Sequence, residues 1–121
     1  MPVPRLLTTL LTISLVTVWL VPPASAQDRA AIEQRLREEL GKLLKKDPAK
    51  LPLDKPVITL GADDLTVVEW QMAAEKAFRV DIDTDKLFEP KSKTVARKDL
   101  TILSMAGAVA TGKPWPPGKT K

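Results

Sequence analysis

Prolines stand at 48, 52 and 56, one every four residues, in a stretch that also holds Leu51, Leu53, Val57, Ile58 and Leu60. A proline inside a helix removes a backbone hydrogen bond and clashes with the preceding turn, so Lys45 to Leu60 is not helical. A connection this long with regularly spaced apolar residues is expected to pack onto the domain as a strap rather than to hang free. The chain has no cysteine. No disulfide pins this connection, and the fold must rest on its apolar core.

The segments on either side carry helical periodicity. Before the prolines, Asp28 to Leu44 places Ile32, Leu36, Leu40, Leu43 and Leu44 on one stripe. Asp28 is positioned to cap that helix. Glu33 with Arg37 and Glu38 with Lys42 stand four residues apart in the favourable order. After the prolines, a second helix is expected from Asp63 or Asp64 to about Phe78. It carries two apolar stripes: Val67, Trp70, Ala74, Ala77 and Phe78, and separately Leu65, Val68 and Met72. One core contact uses one stripe, so the other is in excess. A short helical piece around Thr84 to Phe88 and a last helix over Val95 to Ala110, capped by Thr94 or Ser92, complete the prediction. Its inward positions are Leu100, Leu103, Ala106, Val109 and Ala110.

The two ends read differently. Arg5 is followed by an uncharged run, Leu6 to Val21, then Pro22, Pro23 and "ASA" before Gln27. A basic start, an apolar middle and a small-x-small end make a secretory signal peptide over residues 1–26. The run is short for a membrane span of about 20 residues, so a membrane role is expected only if this segment is retained as an anchor. The expected location is therefore outside the cytoplasm, periplasmic or secreted, with a helical domain over 27–110. Residues 111–121, "TGKPWPPGKTK", are read as a flexible Pro/Lys-rich tail. The alternative is that Trp115 and its prolines dock in a partner's groove.

Charge and residue types exclude several chemistries. Without residues 1–26 the chain has 18 Lys plus Arg against 15 Asp plus Glu, a dispersed net of +3. That is not the clustered basic face of a nucleic-acid binder. Histidine is also absent, which removes ordinary zinc and copper sites, histidine acid–base catalysis and nucleophilic triads. Adjacent Asp63 and Asp64 offer oxygen ligands but no matched third one, so no metal is assigned. No enzyme constellation is legible.

Leu60 to Ile82, "LGADDLTVVEWQMAAEKAFRVDI", resembles the acyl carrier protein family. There a leucine-glycine-alanine-aspartate-serine-leucine run opens the second helix, a glutamate follows, and a phenylalanine closes the helix. Leu60, Gly61, Ala62, Asp63, Leu65, Glu69 and Phe78 fall at matching positions without a gap. The resemblance extends over roughly Ala30 to Ala110. It implies an all-α fold, a small four-helix bundle with one long loop between helices 1 and 2.

The family carries 4′-phosphopantetheine on a serine oxygen, and the matching residue is Asp64. A serine hydroxyl attacking the coenzyme A pyrophosphate leaves a stable phosphodiester. A carboxylate would give a mixed anhydride, which hydrolyses. Ser92 and Ser104 are the only serines after residue 26, and neither opens the second helix. No covalent cofactor is therefore expected. Asp64 is explained by helix capping, or by imitation of the phosphate of a loaded carrier. The resemblance also implies a partner-binding face of Leu65, Val68 and Met72 rimmed by Asp63, Glu69 and Glu75, although Lys76 departs from the family's acidic pattern. Trp70 is expected to fill the interior where the family houses an acyl chain. The resulting expectation is a non-catalytic protein-interaction module with a protein partner on its second helix. The alternatives are non-covalent fatty-acid or lipid binding, and a carrier loaded by an unusual route.

Overall fold

A computed structural model describes residues 28–119. The expected signal segment lies outside the described residues. Three helices form the frame: α1 (Arg29–Leu44), α2 (Asp64–Phe78) and α3 (Ile102–Ala110). Four short strands join them: β1 (Val80–Asp81), β2 (Phe88–Glu89), β3 (Ser92–Ala96) and β4 (Lys113–Pro114). β2 and β3 form one antiparallel pair, β1 and β4 another.

The core lies where α1 packs against α2 and α3. Leu36 and Leu40 of α1, Val67 and Trp70 of α2, and Ile102 and Met105 of α3 are almost fully removed from water. Ile32, Leu43 and Leu44 pack at its margin, so the α1 stripe is used as expected. The proline-bearing connection also packs down. Leu51 and Val57 are buried, the Arg37 side chain donates to the Leu51 carbonyl at 3.0 Å, and the Val57 N–H donates to the Leu100 carbonyl at 2.8 Å. Its prolines start 3-10 turns rather than interrupt helices. Pro48 opens Pro48–Lys50, and Pro56 precedes Val57–Leu60. Gly61 ends the second of these turns at φ 110°, where a side chain would be strained.

Local details of α1 differ from the prediction. Asp28 makes no side-chain cap. The expected pairs are replaced by Arg35–Glu39 at 2.9 Å, Lys42–Glu39 at 3.7 Å and Arg29–Glu33 at 4.0 Å. Arg37 is drawn away to the Leu51 carbonyl, which explains why Glu33 does not hold it.

Among the described residues, three helices with short strands stand in place of the expected four-helix bundle. Residues Thr84–Lys86 form only a 3-10 turn, with Asp83 accepting from the Asp85 N–H at 3.0 Å. The expected start of the last helix is a hairpin strand: β3 runs back along β2 after a turn at Pro90 and Lys91. Proline fits such a turn, and β-branched Thr94 and Val95 fit a strand. The helix starts later, at Ile102, because Thr101 and Ser104 cap it. Thr101 Oγ1 accepts from the Ser104 N–H at 3.0 Å, and Ser104 Oγ accepts from the Thr101 N–H at 3.2 Å. That start turns Ile102, Met105 and Ala108 inward and leaves Leu103 and Ala110 exposed. Thr101→Ala should lower stability by about 1 kcal/mol, or roughly 4–8 °C in Tm for a domain of this size, read by thermal unfolding. Ser104→Ala should cost less, since it removes only the return bond.

The end of the chain, read as a flexible tail, folds back. Pro114 pairs with Val80 and Lys113 with Asp81. The Trp115 N–H donates to the Arg79 carbonyl at 2.9 Å. Its indole Nε1 donates to Asp81 Oδ1 at 3.0 Å, and Lys119 Nζ lies 3.4 Å from Asp81 Oδ2 and 5.2 Å from the Trp115 ring centroid. Gly112 permits this return. A Cβ there would stand 2.9 Å from the Asp81 carbonyl oxygen and 3.1 Å from Val80 Cβ.

Candidate functional site

The start of α2 is built by two neighbouring aspartates with different tasks. Asp63 is the cap. Its Oδ1 accepts from the Thr66 N–H at 2.8 Å and from the Thr66 hydroxyl at 2.7 Å. These bonds, the hydroxyl first and the backbone N–H second, hold its carboxyl below the usual aspartate range. A group whose acidity is raised by folding stabilises the fold while it is ionised and loses that contribution as pH falls through its folded value. The Thr66 amide resonance should therefore titrate below the ordinary aspartate range. A midpoint inside that range would contradict the bonded cap.

Asp64 is the first residue of α2 and does not cap it. Its Oδ1 accepts from the Ala96 N–H at 2.9 Å, fastening the end of β3 to the start of the helix. That N–H faces an oxygen 32 residues away in sequence, a bond with no local signal. Among the described residues, the two serine hydroxyls are far from this helix start in the chain: Ser92 pairs with Thr94 in β3, and Ser104 serves the α3 cap.

Leu65, Val68, Glu69 and Met72 follow at intervals that share one helical face. Leu65 is 64% exposed and Met72 60%. Neither packs under the proline-bearing connection. Glu69 is exposed beside them, while Val68 is half-buried against the core margin. Glu75 is not exposed with them. It is buried, and its Oε2 accepts from the Ile82 N–H at 2.9 Å. Two turns beyond Val68, a drift of about 20° leaves Glu75 close to the stripe, and the chain after β1 covers it there. The exposed acidic rim is thus Asp63 and Glu69, and Glu75 is a structural acid. Lys76 is exposed.

The opposite face of α2 is core. Val67, Trp70 and Ala74 are almost wholly buried, and Phe78 packs at the edge. The Trp70 indole N–H donates to the Leu36 carbonyl at 3.0 Å, so this large side chain is seated with its polar atom satisfied.

Among the described residues, no group of three or more acidic, cysteine or histidine side chains stands close enough to hold a metal ion. Among the same residues, no helix is long and apolar enough to cross a membrane.

The comparisons with known proteins agree with this architecture. A family model described as the phosphopantetheine attachment site matches residues 34–97, more than half of the chain. The match runs from α1 through α2 to the end of β3; α3 and β4 lie beyond it. No curated protein and no solved structure matches the chain.

Proposed function

Because the chain belongs to the phosphopantetheine attachment site family, we propose that it is an exported, acyl-carrier-like member that no longer carries the prosthetic group and acts as a non-catalytic interaction module. Three features support the reading. Asp64, at the position matched to the family's serine, has a carboxylate where the phosphodiester needs a hydroxyl. That carboxylate is engaged in holding β3 to α2. Residues 1–26 have the three parts of a secretory signal, and export separates the chain from coenzyme A and the transferase that uses it.

The observation that carries the proposal is the exposure of Leu65 and Met72 on one face of α2, beside Glu69 and Asp63. Large apolar side chains kept in water on a face that the core does not need mark a contact surface, and a few such anchors supply most of an interface's affinity. The acidic rim favours a partner with basic residues around an apolar groove.

The test is capture from envelope extract with the immobilised protein. One protein should be retained by the wild type and lost with both Leu65→Asp and Met72→Glu, while far-UV circular dichroism and Tm stay unchanged. Both residues are exposed, so folding should survive. Retention of the same protein by both variants would remove this face from the account. The second reading, a bound fatty acid, draws on the cavity of about 490 Å³ that Ile32, Phe78, Val80 and Val109 help to line at the other end of α2.

A further inference from the structure

We propose that residues 113–119 form a detachable clasp, fastened on Asp81, that opens one end of the domain while the three helices stay folded. A two-residue ladder binds its root, Pro114 with Val80 and Lys113 with Asp81. The Trp115 N–H adds one bond, to the Arg79 carbonyl at 2.9 Å. Beyond the ladder, two side-chain ties meet on one acid. Asp81 Oδ1 accepts from the Trp115 indole at 3.0 Å, and Oδ2 lies 3.4 Å from Lys119 Nζ. In that ion pair Asp81 is 43% exposed and Lys119 33%, so water and salt compete for it. Lys113 and Pro114 are exposed, Trp115 is half-buried, and no residue of 113–119 belongs to the buried core. A segment with few buried apolar contacts and exposed backbone bonds opens at a fraction of the cost of unfolding the whole domain.

The clasp closes over two cavities. The one of about 490 Å³ between the start of α1 and the ends of α2 and α3 is lined in part by Gly112 and Pro114. A second, of about 260 Å³, is lined by Gly112 and Lys113 together with Asp81, Asp83 and Lys86. Lifting residues 113–119 joins the two into one groove and bares the backbone of β1. The hinge is Gly112. Its N–H bonds the Val109 carbonyl at 3.0 Å, so the root stays with α3 when the clasp lifts. A Cβ on this residue would press on the Asp81 carbonyl oxygen at 2.9 Å, a backbone atom that no side-chain movement clears. Closure thus depends on a glycine at the hinge and on the Asp81 carboxylate further out. The two conditions can be removed separately.

The test is amide hydrogen exchange of the whole chain, followed by NMR. The backbone N–H of Trp115 reports the clasp, and that of Trp70, in the buried middle of α2, reports the fold. In the wild type the clasp should exchange about a hundredfold faster than the core. Asp81→Ala should speed Trp115 by a further factor of about ten and leave Trp70 unchanged. Gly112→Ala should do the same with the Asp81 charge in place. Salt at about 1 M, where the screening length is about 3 Å, should speed Trp115 about two- to fivefold in the wild type and not in Asp81→Ala. A second readout uses the absence of cysteine from the chain. Val80→Cys places a single thiol beneath Gly112, since a Cβ there would stand 3.1 Å from Val80 Cβ. At fixed pH a thiol reagent should modify it about tenfold faster once Asp81→Ala or Gly112→Ala is added. Ala49→Cys, at an exposed position, should react at one rate throughout. The proposal is overturned if Trp115 and Trp70 exchange at one rate in the wild type, if the two substitutions speed both amides equally, or if neither alters the reaction of the Val80→Cys thiol.

Discussion

Trp70→Ala should cost about 3–5 kcal/mol, a loss typical of a large aromatic truncated in a core. Natural domains are stable by only about 5–15 kcal/mol, and this chain has no disulfide to limit its unfolded state. The loss equals most of the stability of a domain at the low end of that range. Trp70 is fully buried, and it ties α2 to α1 through its indole bond to the Leu36 carbonyl. Trp70→Phe keeps a six-membered ring but removes the N–H donor together with the rest of the indole, and the Leu36 carbonyl still has its bond within α1. A loss of about 1–3 kcal/mol is expected, smaller than that of the alanine variant. Urea unfolding followed by far-UV circular dichroism reads both variants. A Trp70→Ala loss below about 1.5 kcal/mol would show that the core refills around the gap.

The parts of this fold legible in sequence are those set by local rules. The Ile32–Leu44 stripe and the Val67–Trp70–Ala74 stripe each depend on residues within a few positions of one another, and the structure has them where periodicity puts them, whereas the cap of α2 is Asp63 and not the expected Asp64. The prolines excluded a helix over 45–60, and the apolar residues between them located the strap. What escaped depends on distant partners. The apolar spacing from Val95 to Val109 fits a helix approximately, with Thr94 or Ser92 before it as a cap. The strand at Thr94 and Val95 exists because β2 lies alongside, and the nearer signal, Thr101 with Ser104, was the true helix start. The wheel position of Glu75 is close to the exposed stripe, and only the fold of residues 80–82 over it decides its burial. Proline density around Trp115 suggested a loose end, whereas Asp81, 34 residues earlier, supplies its indole acceptor. The cavity between the start of α1 and the ends of α2 and α3 joins segments from residue 31 to residue 114, so no window of sequence contains it.

Asp64→Ser should take up phosphopantetheine, which the wild type is expected not to do. The substitution supplies the hydroxyl at the first residue of α2, exposed to solvent, with the Leu65, Glu69 and Met72 side chains still presented beside it. Incubation with coenzyme A and a broad-specificity transferase should then add one phosphopantetheine to the intact mass. The wild type and Asp64→Asn should remain unmodified, since neither offers a hydroxyl there. The three proteins should also differ in stability. Asparagine retains an oxygen that can accept from the Ala96 N–H, whereas serine is too short to keep the 2.9 Å bond. Asp64→Ser should thus lose about 1.5–3 kcal/mol, the range for a hydrogen bond to a charged group, and Asp64→Asn less. A loaded but less stable serine variant would mean that the fastening of β3 and the carriage of an arm compete for one position. The idea fails if the wild type gains the group, or if folded Asp64→Ser does not, because a hydroxyl at this position would then not be what loading lacks.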